Sequence, residues 1–116
     1  MKIDNVPFID LGRQFRSNEK AYSEIFQRVG RSGAYIMGES LVKFETEIAS
    51  YCDVRHALGV ANGTDALILI LRALGIGQGD EVITATNSYI ASAGSIAAVK
   101  AKPVFADVLN DLNLDP

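Results

Sequence analysis

Gly59-Val60-Ala61-Asn62-Gly63-Thr64-Asp65-Ala66-Leu67 is the stretch on which the fold turns. The short apolar segment leading into it, His56–Val60, reads as a strand. The apolar run leaving it, Thr64–Leu74, reads as a helix. A strand that turns through Asn62, Gly63 and Thr64 into a helix leaves the first helical N–H groups without intrahelical partners. Those groups stand at the positive end of the helix dipole and favour an anion. Gly63 lets a ligand come close to the backbone, and Thr64 adds a hydroxyl donor. Two readings of the same residues stand side by side. One is a phosphate cradle; the other is a plain N-cap, with Asn62 or Thr64 satisfying the helix start.

Downstream, the pattern alternates. Leu67–Leu71 alone has the composition of a strand, but its length, the Thr64/Asp65 start and the Gly75 stop favour a helix. That helix is apolar nearly all round and is expected to be buried. Gly75, Gly77 and Gly79 form a turn-rich link. They follow a helix rather than a strand, so they are not a dinucleotide-binding loop. Glu81–Ala85 is predicted as a strand, Ile90–Lys100 as a small-residue helix, and Pro103–Asp107 as a third strand. The order β-α-β-α-β predicts parallel strands. Ligands of open parallel sheets bind beyond the carboxyl ends of the strands, so the loops Ala61–Thr64 and Thr86–Tyr89 are expected at one edge. Three strands alone would leave apolar edges open, which points to a larger domain.

Upstream, residues 1–18 read as an extended arm broken at Pro7 and Gly12. A first helix is predicted over Glu19–Arg31, with Tyr22, Ile25, Phe26 and Val29 on one face and Gly30 and Gly33 ending it. A second is predicted over Leu41–Tyr51, capped by Ser40, with Leu41, Phe44, Ile48 and Tyr51 on one stripe. The 48 % hydrophobic content argues against disorder. The net charge of −3, with scattered Lys and Arg, gives no footprint for nucleic acid. A single cysteine, Cys52, rules out an internal disulfide framework and is expected to be a buried helix residue. No apolar run approaches a membrane span, and Met1–Asn5 carry no signal core; a cytoplasmic protein is expected. His56 is the only histidine. A lone histidine without a set of partner ligands makes no metal site, and with no nucleophile elbow it makes no triad.

Six segments in chain order resemble the sugar aminotransferases of the DegT/DnrJ (StrS) type, which use pyridoxal 5'-phosphate (PLP). They are Pro7–Leu11, Gly33–Gly38 with Phe44-Glu45, Asn62–Leu67 with Ala73–Ile83, Asn87–Ala93, Lys102–Asp107, and Leu114–Pro116. The resemblance implies an α/β fold: the N-terminal part of the large domain of a fold-type I PLP-dependent transferase, a mostly parallel sheet with flanking helices. It divides the chain into residues 1–55, the arm and two helices, and 56–116, the incomplete start of the PLP-binding domain. Gly63 and Thr64 match the contacts to the PLP phosphate. Asn62 and Asp65 are neighbours whose backbone flanks the same group. Tyr89 matches the aromatic that stacks on the PLP ring. Asp10 and Tyr35 fall in matching segments without an assigned role. Asp107, at a strand end, reads as a turn residue.

The resemblance also implies what should lie outside this chain. The Schiff-base lysine and the aspartate that pairs with the pyridine nitrogen are expected downstream, so no catalytic residue is assigned among Lys2, Lys20, Lys43, Lys100 and Lys102. The chain is expected to be the N-terminal portion of an enzyme about three times as long, and inactive alone. That enzyme would move an amino group, typically from glutamate, onto a nucleotide-linked keto-sugar, as a homodimer. The alternatives are a related sugar dehydratase, with histidine in place of the lysine, and a non-catalytic phosphate-binding module.

Overall fold

The computed structural model describes residues 6–115; the expectations for Met1–Asn5 and Pro116 fall outside them. The chain divides into two compact units, Met1–Ala57 and Leu58–Pro116.

The first unit holds α1 (Leu11–Ser32) and α2 (Glu39–Tyr51). Helix α1 starts eight residues before the predicted Glu19, so residues 11–18 of the expected arm are helical. The cause is Asp10, whose carboxylate accepts from the Arg13 N–H at 2.8 Å and caps the helix. Gly12, expected to break the chain, sits in the first turn, where helical bonding has not yet begun. Gly33 ends α1 in the left-handed conformation at φ 67°, its N–H donating to the Val29 carbonyl. Gly38 precedes α2, and a Cβ there would stand 2.9 Å from the Ala34 carbonyl oxygen, so a side chain does not fit. Gly38, not the predicted Ser40, is the N-cap residue of α2, without a side-chain bond. Cys52 is exposed at the C-cap of α2 rather than buried, because among the described residues no other element of this unit packs on α2. Ala49 is the one buried residue of this unit among those described. The stripes of α1 and α2 stand open: Tyr22 is 42 % exposed, Phe26 79 % and Phe44 54 %.

The second unit holds α3 (Gly63–Ala73), β1 (Glu81–Ala85), α4 (Ala91–Ala98) and β2 (Lys102–Ala106). It is α/β, with β1 and β2 parallel as expected and Glu81 registered on Lys102 through Ala85 on Ala106. An ion pair of 2.7 Å joins the first of these pairs. The predicted strand His56–Val60 is not a strand. A strand exists only through a ladder partner, and among the described residues the sheet is β1 and β2 alone. Helix α4 stops short of the predicted Lys100, which turns left-handed at φ 65°. The Lys100 N–H donates to the Ala97 carbonyl and the Ala101 N–H to that of Ile96, the paired bonds of a Schellman ending. Buried Ala101 lies on buried Ile96 there, and with Val99 they form the core, joined by Ile68, Leu71, Ile76 and Val82.

Helix α3 packs on α4 and on no strand of this unit. The expectation that it is buried therefore fails: Leu67, Leu69 and Ile70 remain 40–55 % exposed. Its apolar circumference exceeds what one small-residue helix can cover.

Candidate functional site

The start of α3 is built by a reciprocal pair. Asn62 is extended at φ −164° and ψ 173°, and its Oδ1 accepts from the Asp65 N–H at 2.9 Å. Its Nδ2 donates to Asp65 Oδ2 at 3.0 Å, and its carbonyl accepts from the Ala66 N–H at 3.1 Å. The N-cap is therefore Asn62, and Thr64 is left out of it. Four N–H groups open a helix without partners inside it. Here the Ala66 N–H makes the first helical bond to the Asn62 carbonyl, and the Asp65 N–H is taken by the Asn62 side chain. The N–H groups of Gly63 and Thr64 and the Thr64 hydroxyl have no protein partner among the described residues. Cap and cradle are thus compatible: the cap takes the Asp65 amide and leaves those of Gly63 and Thr64. A Cβ at Gly63 would meet nothing within 4 Å, so the space beside these donors is open. The Asp65 carboxylate, which would repel an anion, is anchored on the Asn62 amide and half-buried.

Tyr89 lies on the second loop. Thr86–Ile90 leave the carboxyl end of β1 and enter α4, and the Tyr89 side chain is 77 % exposed. This loop stands at a strand end, as predicted. The Ala61–Thr64 loop follows a segment without strand pairing, so the expected common sheet edge applies to one loop of the two. Asn62, Gly63, Thr64 and Asp65 form one capped turn. Among the described residues no hydrogen bond or ring contact ties Tyr89 to it.

Asn87 and Ser88 of the second loop and Ser92 of α4 fall in the resembling segment Asn87–Ala93 but have no role assigned from sequence. Asn87 Nδ2 donates to the Leu112 carbonyl at 3.3 Å. The hydroxyls of Ser88 and Ser92 are 2.6 Å apart. These ties depend on how the turn is folded, not on spacing alone, although hydroxyls four residues apart at a helix entry are a usable hint.

Asp107, one residue past β2, turns its Oδ1 to the Val108 N–H at 2.8 Å, and its carbonyl accepts from the Asp115 N–H. It lies at the strand end, outside the turn at Asn110–Asp111. Nearby, Asp111 is held below the ordinary carboxylate value by hydrogen bonds from the Asn113 side chain and backbone. Lys102 is raised above its ordinary value by its bond to Glu81 and the charge of that partner. Neither group touches the start of α3. No cluster of three or more His, Cys, Asp or Glu able to hold a metal occurs among the described residues. None of their helices is long and apolar enough to cross a membrane.

Comparison with known proteins adds the following. The DegT/DnrJ/EryC1/StrS aminotransferase family pattern matches residues 16–116. The dTDP-3-amino-3,6-dideoxy-alpha-D-galactopyranose transaminase of Aneurinibacillus thermoaerophilus is 46 % identical over 112 residues, covering 96 % of this chain and 31 % of the relative. The crystal structure of S. venezuelae DesV in complex with a ketimine intermediate superposes with TM-score 0.92 at 45 % identity, over 96 % of this chain and 30 % of that one. NtdA from Bacillus subtilis, solved with bound cofactor PMP, superposes with TM-score 0.87 at 29 % identity, over 94 % and 25 %. The chain spans about a third of the length of such relatives.

Proposed function

The chain belongs to the DegT/DnrJ/EryC1/StrS aminotransferase family, and on that premise we propose that it is the cofactor-holding opening segment of a PLP-dependent aminotransferase acting on a nucleotide-linked keto-sugar. The observation that carries this is the start of α3. Two N–H groups and one hydroxyl, all without protein partners among the described residues, stand within one turn beside open space. A phosphate offers acceptor oxygens only, and a helix N-terminus offers donors only, so the two chemistries match.

PLP, when bound, supplies the electron sink for moving an amino group. The residues of this chain hold and orient it. Gly63 and Thr64 would bind the phosphate oxygens through their amides and the Thr64 hydroxyl. Asn62 fixes the helix start and keeps the Asp65 charge engaged at the cap. Tyr89 would lay its ring face on the pyridine and set the cofactor plane. Residues 56–116 are in this reading the start of the PLP-binding domain. The sugar substrate is supported by the transaminase name of the relative from A. thermoaerophilus, and the cofactor by the PMP bound to NtdA, PMP being the amine form of PLP. Glutamate as amino donor, a homodimer and a cytoplasmic setting belong to the same proposal. The open stripes of α1 and α2 suit burial against more protein, and an exposed free thiol at Cys52 is at ease in a reducing compartment.

The test is direct. Purified full-length protein should take up PLP and transfer the amino group of glutamate to a nucleotide-linked keto-sugar, read by mass spectrometry of the sugar product. Failure to bind PLP at all would end the reading.

A further inference from the structure

The Tyr89 side chain is 77 % exposed and has no partner among the described residues. The direction of its ring is therefore inherited from the loop backbone, and that loop is fastened at every residue. The Thr86 N–H donates to the Ala106 carbonyl at 3.2 Å, continuing the ladder beyond β1. Asn87 Nδ2 reaches the Leu112 carbonyl at 3.3 Å. The Ser88 hydroxyl meets the Ser92 hydroxyl at 2.6 Å. The Tyr89 carbonyl accepts from the Ser92 N–H at 2.9 Å.

Ser92 is the hub of these bonds. It lies half-buried in the first turn of α4, and its carbonyl accepts from the Ser95 hydroxyl at 3.2 Å. Ser95 is only 2 % exposed. Ser92 is thus held from the core side through its backbone carbonyl and reaches the loop through its hydroxyl. Ile90, the N-cap residue of α4, makes no side-chain cap bond, so among the described residues the Ser88–Ser92 pair is the side-chain tie between loop and helix. An O–H···O distance of 2.6 Å lies at the short end of the ordinary range.

We propose that Ser88 and Ser92 are positioning residues for Tyr89: their hydroxyl bond fixes the loop backbone so that the ring is presented at one angle to the cofactor. This rests on the reading of Tyr89 as the stacking residue. Without the bond, the loop samples more conformations and the ring must be ordered on binding, which weakens retention. One neutral hydrogen bond corresponds to roughly 2- to 10-fold in affinity.

The experiment measures PLP affinity and visible circular dichroism of bound PLP in the full-length protein, with apo-protein unfolding followed in parallel. Ser88→Ala and Ser92→Ala should each weaken PLP binding by roughly 2- to 10-fold and reduce the dichroism. The double variant should do no more than either, and Ser88→Thr should restore both signals. In a Tyr89→Ala background, Ser88→Ala should have no further effect. A Ser88→Ala loss that persists undiminished in that background, or that only tracks a lowered unfolding midpoint, overturns the proposal. So does a Ser88→Ala variant that binds PLP normally while Tyr89→Ala does not. Should Tyr89→Ala itself leave PLP affinity unchanged, the stacking reading fails first and the proposal with it.

Discussion

Replacing Thr64 by Val in the full-length protein separates the cradle from the cap. The two side chains are nearly isosteric, and both are β-branched with similar helix propensity. The Thr64 hydroxyl has no protein partner among the described residues, so its removal breaks no bond of the fold. Asn62 performs the capping and is untouched. The stability of the apo-protein should therefore stay within about 0.5 kcal/mol of wild type. Cofactor affinity should not. A hydrogen bond to a charged phosphate contributes about 1.5–3 kcal/mol, which is roughly 10- to 150-fold in dissociation constant. The assay is fluorescence titration of apo-protein with PLP, with thermal unfolding of the same samples. Thr64→Ser keeps the hydroxyl and should bind within about threefold of wild type. A Thr64→Val dissociation constant within about twofold of wild type would refute the assignment.

Other outcomes follow from the same structure. Lys100 ends α4 in the left-handed conformation, which disfavours a residue with a Cβ by about 1 kcal/mol. Lys100→Gly should raise the urea midpoint, and a lower midpoint would show that the Lys100 side chain matters more than its backbone. Asp111 titrates below its ordinary value because Asn113 bonds its ionised form. A depressed value stabilises the fold above the unfolded-state value, and the gain is lost as pH falls through the folded one. Asn113→Ala should move the Asp111 NMR titration upward, and no movement would remove Asn113 as the cause. Residues 1–116 expressed alone should aggregate or stay inactive, given the open stripes of α1, α2 and α3. A soluble chain that forms a borohydride-stabilised PLP adduct on one specific lysine, with transaminase turnover, would contradict this.

What was legible in the sequence follows locality. Strand β1 lies where the apolar pattern put it, and β2 is one residue earlier. The Asn62–Asp65 turn was readable because capping needs only neighbours three residues apart. The start of α1 is hidden in the sequence because Pro7 and Gly12 read as breakers on either side of the Asp10 cap. His56–Val60 has strand composition, but pairing is a property of two segments, and no pattern in one reveals its partner. Burial was misjudged for Cys52 and α3 for a related reason: residue type gives a preference for burial, while cover depends on what packs alongside. The Ser88–Ser92 hydroxyl pair and the Asn87 bond to the Leu112 carbonyl depend on how the turn is folded, beyond the reach of periodicity.

A crystal structure of the full-length protein with PLP bound tests the central claim most directly. The account predicts a phosphate at the start of α3, its oxygens within hydrogen-bond distance, about 2.7–3.2 Å, of the Gly63 and Thr64 amides and the Thr64 hydroxyl, with the Tyr89 ring against the pyridine. A phosphate held elsewhere, with those three donors turned to water or protein, would contradict it.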